Sequence, residues 1–265
     1  MSYFGGKVIL ITGASSGIGK ALAEQLAAPD VELILTARRT GELEMVSKIC
    51  ESKGATCTVF YLDMSLTQSI DDFSNNLNAK YLCIDILINN AGISQRSLAE
   101  ETVQEVDRRI MEVNFFGPVY LTKKVFPLLL KSAKAQIVLM SSLTGTFGFP
   151  LRSAYAASKH AIEGFFQSWM LENKHDNVSF TVIAPGRIFT NISYSALQKD
   201  GNAQDTLDEG QKNGITAEAC AQRIIYAIIK QKRKIYIVKS ERVLLFFHKY
   251  FPALFILLVK KLNLK

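Results

Sequence analysis

The chain has 265 residues, of which 48% are hydrophobic and 21% charged, a balance that excludes general disorder, collagen-like repeats and a disulfide-stapled miniprotein. At roughly 100–200 residues per domain, the length allows one large domain or two small ones. The net charge of +7 is uneven: residues 230–265 hold ten basic side chains and a single acid, Glu241, which leaves −2 on residues 1–229. That basic tail is also strongly apolar, unlike a nucleic-acid-binding tail, so no nucleic-acid partner is expected. Cys50, Cys57, Cys83 and Cys220 form no CxxC and have no histidine pair nearby. Reduced thiols and no metal site are expected. The apolar pattern begins at Lys7, which leaves no room for a signal peptide and predicts a cytoplasmic location.

Lys7–Thr12 is a continuous β-rich run, followed by a glycine cluster and a helical pattern over Ile18–Ala28. Strand patterns recur at Val31–Thr36, Thr56–Leu62, Ile84–Asn89, Gln136–Met140 and Val178–Ala184. Helical patterns fill the intervals over Glu42–Lys53, 67–79, 101–112, 114–131 and Ser153–Asn173. Alternating helices and strands, with strands apolar on both faces, predict an α/β fold: a single Rossmann-type doubly wound parallel sheet with helices on both faces. No linker or solenoid repeat interrupts it, so residues 1–238 read as one dinucleotide-binding and catalytic domain and 239–265 as an apolar, basic helical extension. Residues 187–214 are polar and turn-rich. Leaving the carboxyl end of a strand, they are a candidate lid over the ligand crevice.

Thr12-Gly-Ala-Ser-Ser-Gly-Ile-Gly19 lies between the first strand and the first helix. Gly13 permits a sharp turn, while Gly17 and Gly19 allow close backbone approach to a diphosphate at a helix N-terminus. Gly13, Ser15, Ser16, Gly17, Ile18 and Gly19 are therefore cofactor-contact candidates. No carboxylate stands between Leu33 and Gly41, where an NAD-selective fold usually places one for the ribose 2′-hydroxyl. Arg38 and Arg39 stand there instead, and a guanidinium suits a 2′-phosphate. NADP (NADPH) is the expected cofactor and NAD the alternative, with Arg38, nearer the strand end, the preferred contact. The competing reading makes both arginines a solvated helix start.

Tyr155-Ala-Ala-Ser-Lys159 places a phenol and an ammonium one helical turn apart on one face. A free phenol titrates near 10, too high for efficient acid/base work at neutral pH, and a neighbouring ammonium favours its ionised form. Such a pair can donate a proton to a ketone oxygen as hydride arrives, or remove one in reverse. In isolation the spacing equally describes a packed ring beside a solvated amine. Thirteen residues earlier, Ser141-Ser142 ends the fifth strand, where a hydroxyl faces the crevice, and Asn89-Asn-Ala-Gly92 ends the fourth in the same way.

Together with Asp63, Asn114, Pro185-Gly186 and Thr190, these motifs resemble the short-chain dehydrogenase/reductase superfamily in order and spacing over residues 5–238. The resemblance implies that Tyr155 is the general acid/base, that Lys159 supports it and binds the nicotinamide ribose, and that Ser142 positions the reacting oxygen. It further implies that Asn114 holds a proton-relaying water, that Asp63 contacts the adenine, and that Asn90, Ala91 and Gly92 line the adenosine ribose. Ile188 and Thr190, after Pro185-Gly186, would meet the nicotinamide carboxamide. Gly92–Ser97, Glu112–Gly117 and Ala157–Phe166 look closest to a membrane-associated branch, member 7-like and more distantly 11-beta-hydroxysteroid dehydrogenase-like.

Substrate-pocket candidates follow Ser142 and flank the lid: Leu143, Phe147, Phe149, Pro150, Phe189, Ile192 and Tyr194, with Gln95 and Arg152 adding polarity. They predict a lipophilic carbonyl or alcohol as substrate, although buried aromatics are more often core. The 17 nearly continuous apolar residues of Val243–Val259 fall short of the roughly 20 a membrane span requires. Flanked by basic residues, segment 241–265 reads as an interfacial helix pair in peripheral membrane contact, with packing on another subunit the alternative. Wide apolar faces on the helices over 114–131 and 153–173, which pair subunits in the resembled family, imply a homodimer or homotetramer. Rival functions are a lipid-pathway ketoreductase for keto-sphingoid or keto-acyl chains, and a non-catalytic cofactor-binding scaffold.

Overall fold

The computed structural model describes residues 3–206 and 208–261. In chain order its elements are β1 (Val8–Thr12), α1 (Gly17–Leu26), β2 (Glu32–Ala37), α2 (Thr40–Glu51), β3 (Thr56–Tyr61), α3 (Thr67–Lys80), β4 (Ile86–Asn89), α4 (Gln104–Met111), α5 (Gly117–Leu130), β5 (Ala135–Met140), α6 (Ser153–Glu172), β6 (Val178–Pro185), β7 (Ile188–Phe189), α7 (Glu209–Lys212), β8 (Ile215–Thr216), α8 (Ala217–Ile229), β9 (Lys234–Ile237), α9 (Arg242–Tyr250) and α10 (Pro252–Lys261).

Seven strands form one parallel sheet in the order β3-β2-β1-β4-β5-β6-β9. Side chains alternate across each strand, so each inner strand feeds two cores. Ile9, Ile11, Leu33, Leu35, Ile86 and Ile88 face α1, α2 and α8, packing with Leu22, Leu43 and Ile224. Leu10, Ile34, Leu87, Ile137 and Leu139 face α3, α5 and α6, packing with Phe73, Val125 and Phe166. This double burial makes the inner strands largely apolar on both faces, as the sequence predicts. The chain order reverses between β1 and β4, and the carboxyl ends of those strands diverge around a crevice.

Beyond the predicted elements the structure adds α7, α8, the short β7–β8 pair and a further sheet strand. β9 is a seventh sheet strand, paired with β6 from Val182↔Lys234 to Pro185↔Ile237. The predicted helices over 101–112 and 114–131 are joined through a π-helical turn at Glu112–Phe116, which carries Asn114. The tail is a helix pair, as expected, broken at Phe251-Pro252, and Phe255 and Val259 bury themselves against Leu143, Phe147 and Val238.

The membrane-associated part of the resemblance does not hold. Among the described residues, no helix is long and apolar enough to cross a membrane. The physical reason lies in the break: α9 has nine residues and α10 ten, and at about 1.5 Å per residue neither approaches a hydrocarbon core about 30 Å thick.

Candidate active site

A cavity of about 740 Å³ opens where β1 and β4 part, within the range typical of small-molecule sites. At one end lies the glycine turn. Gly13 and Gly17 hold φ of +66° and +56°, which side-chain-bearing residues rarely adopt. A Cβ on Gly13 would stand 2.8 Å from Ala91 Cα, and one on Gly19 only 2.3 Å from the Gly13 carbonyl oxygen. Gly17 therefore keeps the turn low, while Gly13 and Gly19 press it onto β4 and α1. Asn90 braces the turn from below, its amide donating to the carbonyls of Thr12 (2.9 Å) and Gly13 (3.2 Å). The Thr12 hydroxyl accepts the N–H groups of Asn90 and Ala91, both at 3.0 Å. The Ser16 side chain does not cap α1, so first-turn N–H groups are left for an anionic ligand. This cradle, lined by Gly13, Ser15, Ser16, Gly17 and Ile18, fits a dinucleotide diphosphate.

Arg38 and Arg39 both line this end, as do Asp63, Asn90, Ala91 and Gly92. Arg39 lies across the turn, donating to the hydroxyls of Ser15 (3.2 Å) and Ser16 (3.0 Å). Asp63 Oδ1 accepts the N–H and hydroxyl of Ser65, which fixes the carboxylate at the wall. Pro185, Gly186, Ile188 and Thr190 line the far side, and the Thr190 methyl sits 3.2 Å from where a Cβ on Gly17 would be.

Ser142, Tyr155 and Lys159 line the same cavity. The α6 helix brings Tyr155 and Lys159 onto one face, with the ammonium 5.7 Å from the phenol ring centre. Lys159 is buried and donates to the Met140 carbonyl at 2.9 Å. Burial pulls its pKa below the ordinary lysine value, opposed by Tyr155 and by the Glu163 carboxylate. Ser142 follows β5 in extended conformation, and its Oγ accepts the Thr144 N–H (3.2 Å) and hydroxyl (3.0 Å). Asn114, in the π-helical turn, is buried behind Lys159. Its Oδ1 accepts the Ile93 N–H (2.9 Å), and its amide donates to the Ile93 carbonyl (2.9 Å) and Ser158 Oγ (3.1 Å). Gly92 leaves the space between them: a Cβ there would meet Asn114 Oδ1 at 3.1 Å and Lys159 Nζ at 3.7 Å.

Of the substrate candidates, Ile192 and Tyr194 line the cavity together with Ser142 and Tyr155. Leu143 and Phe147 are buried under the tail, with Phe149 packed against that cluster, and Phe189 is half-exposed on β7. Gln95 is fully buried, and its carbonyl oxygen accepts the N–H groups of Ala154 (2.9 Å) and Tyr155 (3.3 Å) at the start of α6. Its polarity is spent on the helix, not on the pocket. Arg152 lines the cavity and shares Asp208 Oδ2 with Arg96. Burial and the neighbouring Arg96 charge bring the Arg152 pKa down to about 10.

Sequence reasoning passed over several residues that build this site. Gln95 is expected to add polarity to the pocket, and its role in bracing α6 has no local signal; Thr12 has only a generic one, a hydroxyl within a strand. Glu241, the tail's lone acid, has moved to the site's edge, accepting the N–H of Arg187 at 3.1 Å and of Lys239 at 2.9 Å. Asp208 reaches back from the 187–214 connection to Arg96 and Arg152.

The family model for short chain dehydrogenase matches residues 7–201. The chain is 36% identical over 265 residues to Dehydrogenase/reductase SDR family protein 7-like of Drosophila melanogaster, an alignment covering 98% of this chain and 81% of that protein. It is similar to the solved structure of a short chain dehydrogenase/reductase from Burkholderia phymatum in complex with NAD, at TM-score 0.83 and 22% identity over 96% of both chains. A short-chain dehydrogenase from Sphingobium yanoikuyae in complex with NADPH superposes at TM-score 0.76 and 22% identity, over 94% of this chain and 95% of that one. The two structures corroborate the fold. The chain belongs to the short-chain dehydrogenase/reductase family. It is an NAD(P)-dependent oxidoreductase that works by hydride transfer, and its relatives are of the member 7-like kind.

Proposed function

We propose that the protein interconverts a lipophilic carbonyl compound and its secondary alcohol, using NADP(H), with Tyr155 as the general acid/base. The observation that carries this reading is that Ser142, Tyr155 and Lys159 line one cavity together with the glycine turn. The nicotinamide cofactor, when bound, supplies or accepts hydride at the carbonyl carbon. Ser142 Oγ and the Tyr155 hydroxyl hold the carbonyl oxygen, and Tyr155 donates the proton in reduction and takes it back in oxidation. Lys159 places a positive charge beside the phenol, 5.7 Å from its ring centre. Asn114, fixed by three hydrogen bonds to Ile93 and Ser158, buttresses the floor beneath Lys159 and is the candidate to hold a relaying water.

Preference for NADP is supported by Arg38 and Arg39 on the cavity wall and by the lack of a carboxylate at the end of β2. Ile93, Ile192, Tyr194 and Leu197 on the substrate side support a lipophilic substrate. Half-exposed Phe116 and exposed Leu171 on the outer faces of the α4–α5 junction and α6 support a homodimer or homotetramer. The test is NADPH consumption against ketones graded from small and polar to large and apolar, with wild type and Tyr155→Phe. Turnover confined to the apolar members and lost in the variant is the expected result. Turnover of small polar carbonyls alone, or undiminished turnover in Tyr155→Phe, would overturn the reading.

A further inference from the structure

Glu163 lies one helical turn beyond Lys159 and two beyond Tyr155, on the same inward face of α6. It is 4% exposed, an unusual place for a carboxylate, and both oxygens are engaged. Ser141 Oγ donates to Oε1 at 2.5 Å, and Lys234 Nζ donates to Oε2 at 2.6 Å. Ser141 immediately precedes Ser142, and Lys234 opens β9, the outermost strand on this side of the sheet. A Cβ on Gly145 would stand 2.5 Å from Ser141 Oγ and 2.8 Å from Glu163 Oε1, so the turn after Ser142 closes directly over the carboxylate.

We infer that Glu163, held by Lys234 and Ser141, is a positioning residue for the reaction: its buried charge keeps Lys159 cationic, and its bond to Ser141 fixes the backbone that presents Ser142. This rests on the roles proposed above for Lys159 and Ser142. A lone ammonium with no solvent is costly and tends to shed its proton. Among the described residues, Lys159 has a neutral carbonyl as its direct hydrogen-bond partner, so the opposing charge must come from elsewhere. The charged or titratable groups around it are Tyr155 and Glu163 on α6, with Lys234 and Tyr236 on β9 behind Glu163. Glu163 is thus the carboxylate of the set. Lys234 is less buried, and its pKa is raised because the Glu163 carboxylate outweighs the effect of burial. The ion pair carries no net charge, yet the carboxylate is the nearer member to Lys159 along the helix. Removing either partner alone shifts the local charge by one unit in opposite directions.

The experiment measures the NADPH dissociation constant against pH by nicotinamide fluorescence, from pH 7 to 10.5, in wild type, Glu163→Gln, Lys234→Met and the double variant. Lys159→Met serves as the reference for loss of the ammonium. Wild type is expected to lose affinity on an alkaline limb that Lys159→Met lacks. Glu163→Gln moves that limb to lower pH by about one unit, Lys234→Met moves it to higher pH, and the double variant returns it toward wild type. A purely structural role would weaken binding in Glu163→Gln without moving the limb. That result, an unshifted limb in Lys234→Met, or a wild type with no alkaline limb, would each overturn the inference. Should Glu163→Gln fail to fold by thermal melting, the Lys234→Met shift decides alone. Cofactor affinity is read without any substrate, so failure here is separable from failure to find ketone turnover.

Discussion

The Gln95 side chain holds the Tyr155 backbone: Gln95 Oε1 accepts the Tyr155 N–H at 3.3 Å and the Ala154 N–H at 2.9 Å. A side chain from the loop after β4 thereby satisfies two of the N–H groups that α6 leaves open at its start, and it orients the helix bearing the acid/base. Arg152, which precedes α6, provides no side-chain cap of its own. Gln95→Leu leaves both buried donors unpaired, and we expect a loss of about 1–3 kcal/mol in denaturant unfolding. The rate constant kcat should fall more than cofactor affinity does, because the glycine turn is untouched. Unchanged stability would show that water or another group replaces the amide.

Tyr155→Phe keeps the ring and removes only the hydroxyl. NADPH binding should remain within a few fold of wild type while turnover falls by about 10²–10⁴, the usual contribution of a positioned acid/base. A scaffold that binds cofactor without chemistry predicts no turnover to lose in wild type.

Gly19→Ala tests the turn without touching a charge. The added methyl collides with the Gly13 carbonyl oxygen at 2.3 Å and with the Asn90 amide nitrogen at 2.5 Å, so the turn must open. Cofactor affinity should drop at least tenfold in fluorescence titration, with the far-ultraviolet circular dichroism of the sheet and helices retained. Full affinity in this variant would show that the turn tolerates displacement.

Asp208 ties the 187–214 connection to the body through Arg96 and Arg152. Burial pushes its pKa up, but hydrogen bonds from Arg96 and Gln204 and the two arginine charges outweigh that and hold it below the usual carboxylate value. The folded pKa lies under the unfolded one, so the contribution is complete above the ordinary aspartate pKa of about 3.9 and is lost as pH falls through the lower folded value. Asp208→Asn should cost about 1–3 kcal/mol at pH 7, because Arg96 is left buried without a carboxylate, and the difference from wild type should vanish in strong acid. Limited proteolysis within 187–214 should accelerate in the variant. A constant stability difference across acid pH would contradict the assignment.

The parallel sheet was legible because each inner strand is buried on both faces, so Ile9-Leu10-Ile11 and Leu33-Ile34-Leu35 read as unbroken apolar runs. The glycine turn and the Tyr155–Lys159 pair were legible for a similar reason: each is local, set by one turn or one helical repeat. What escaped was long-range. β9 is short, with Lys234 at its head and Tyr236 partly exposed, so its Lys-Ile-Tyr-Ile reads as part of a basic tail until Glu163 is seen to receive Lys234. Glu241 likewise counts as a tail charge until the chain returns it to Gly186 and Arg187. Leu143 and Phe147 carried the right apolar character for a pocket, but the same character buries them under Phe255 and Val259, and no local pattern tells those outcomes apart.

Titration of the protein with NADPH and NADH, followed by nicotinamide fluorescence in wild type and in Arg38→Asp, decides whether this cavity holds NADP. Tight NADPH binding, weak NADH binding and loss of that preference in the variant are the predicted result. Equal binding of both nucleotides would contradict the role given to the arginine pair, and binding of neither would contradict the cofactor site itself.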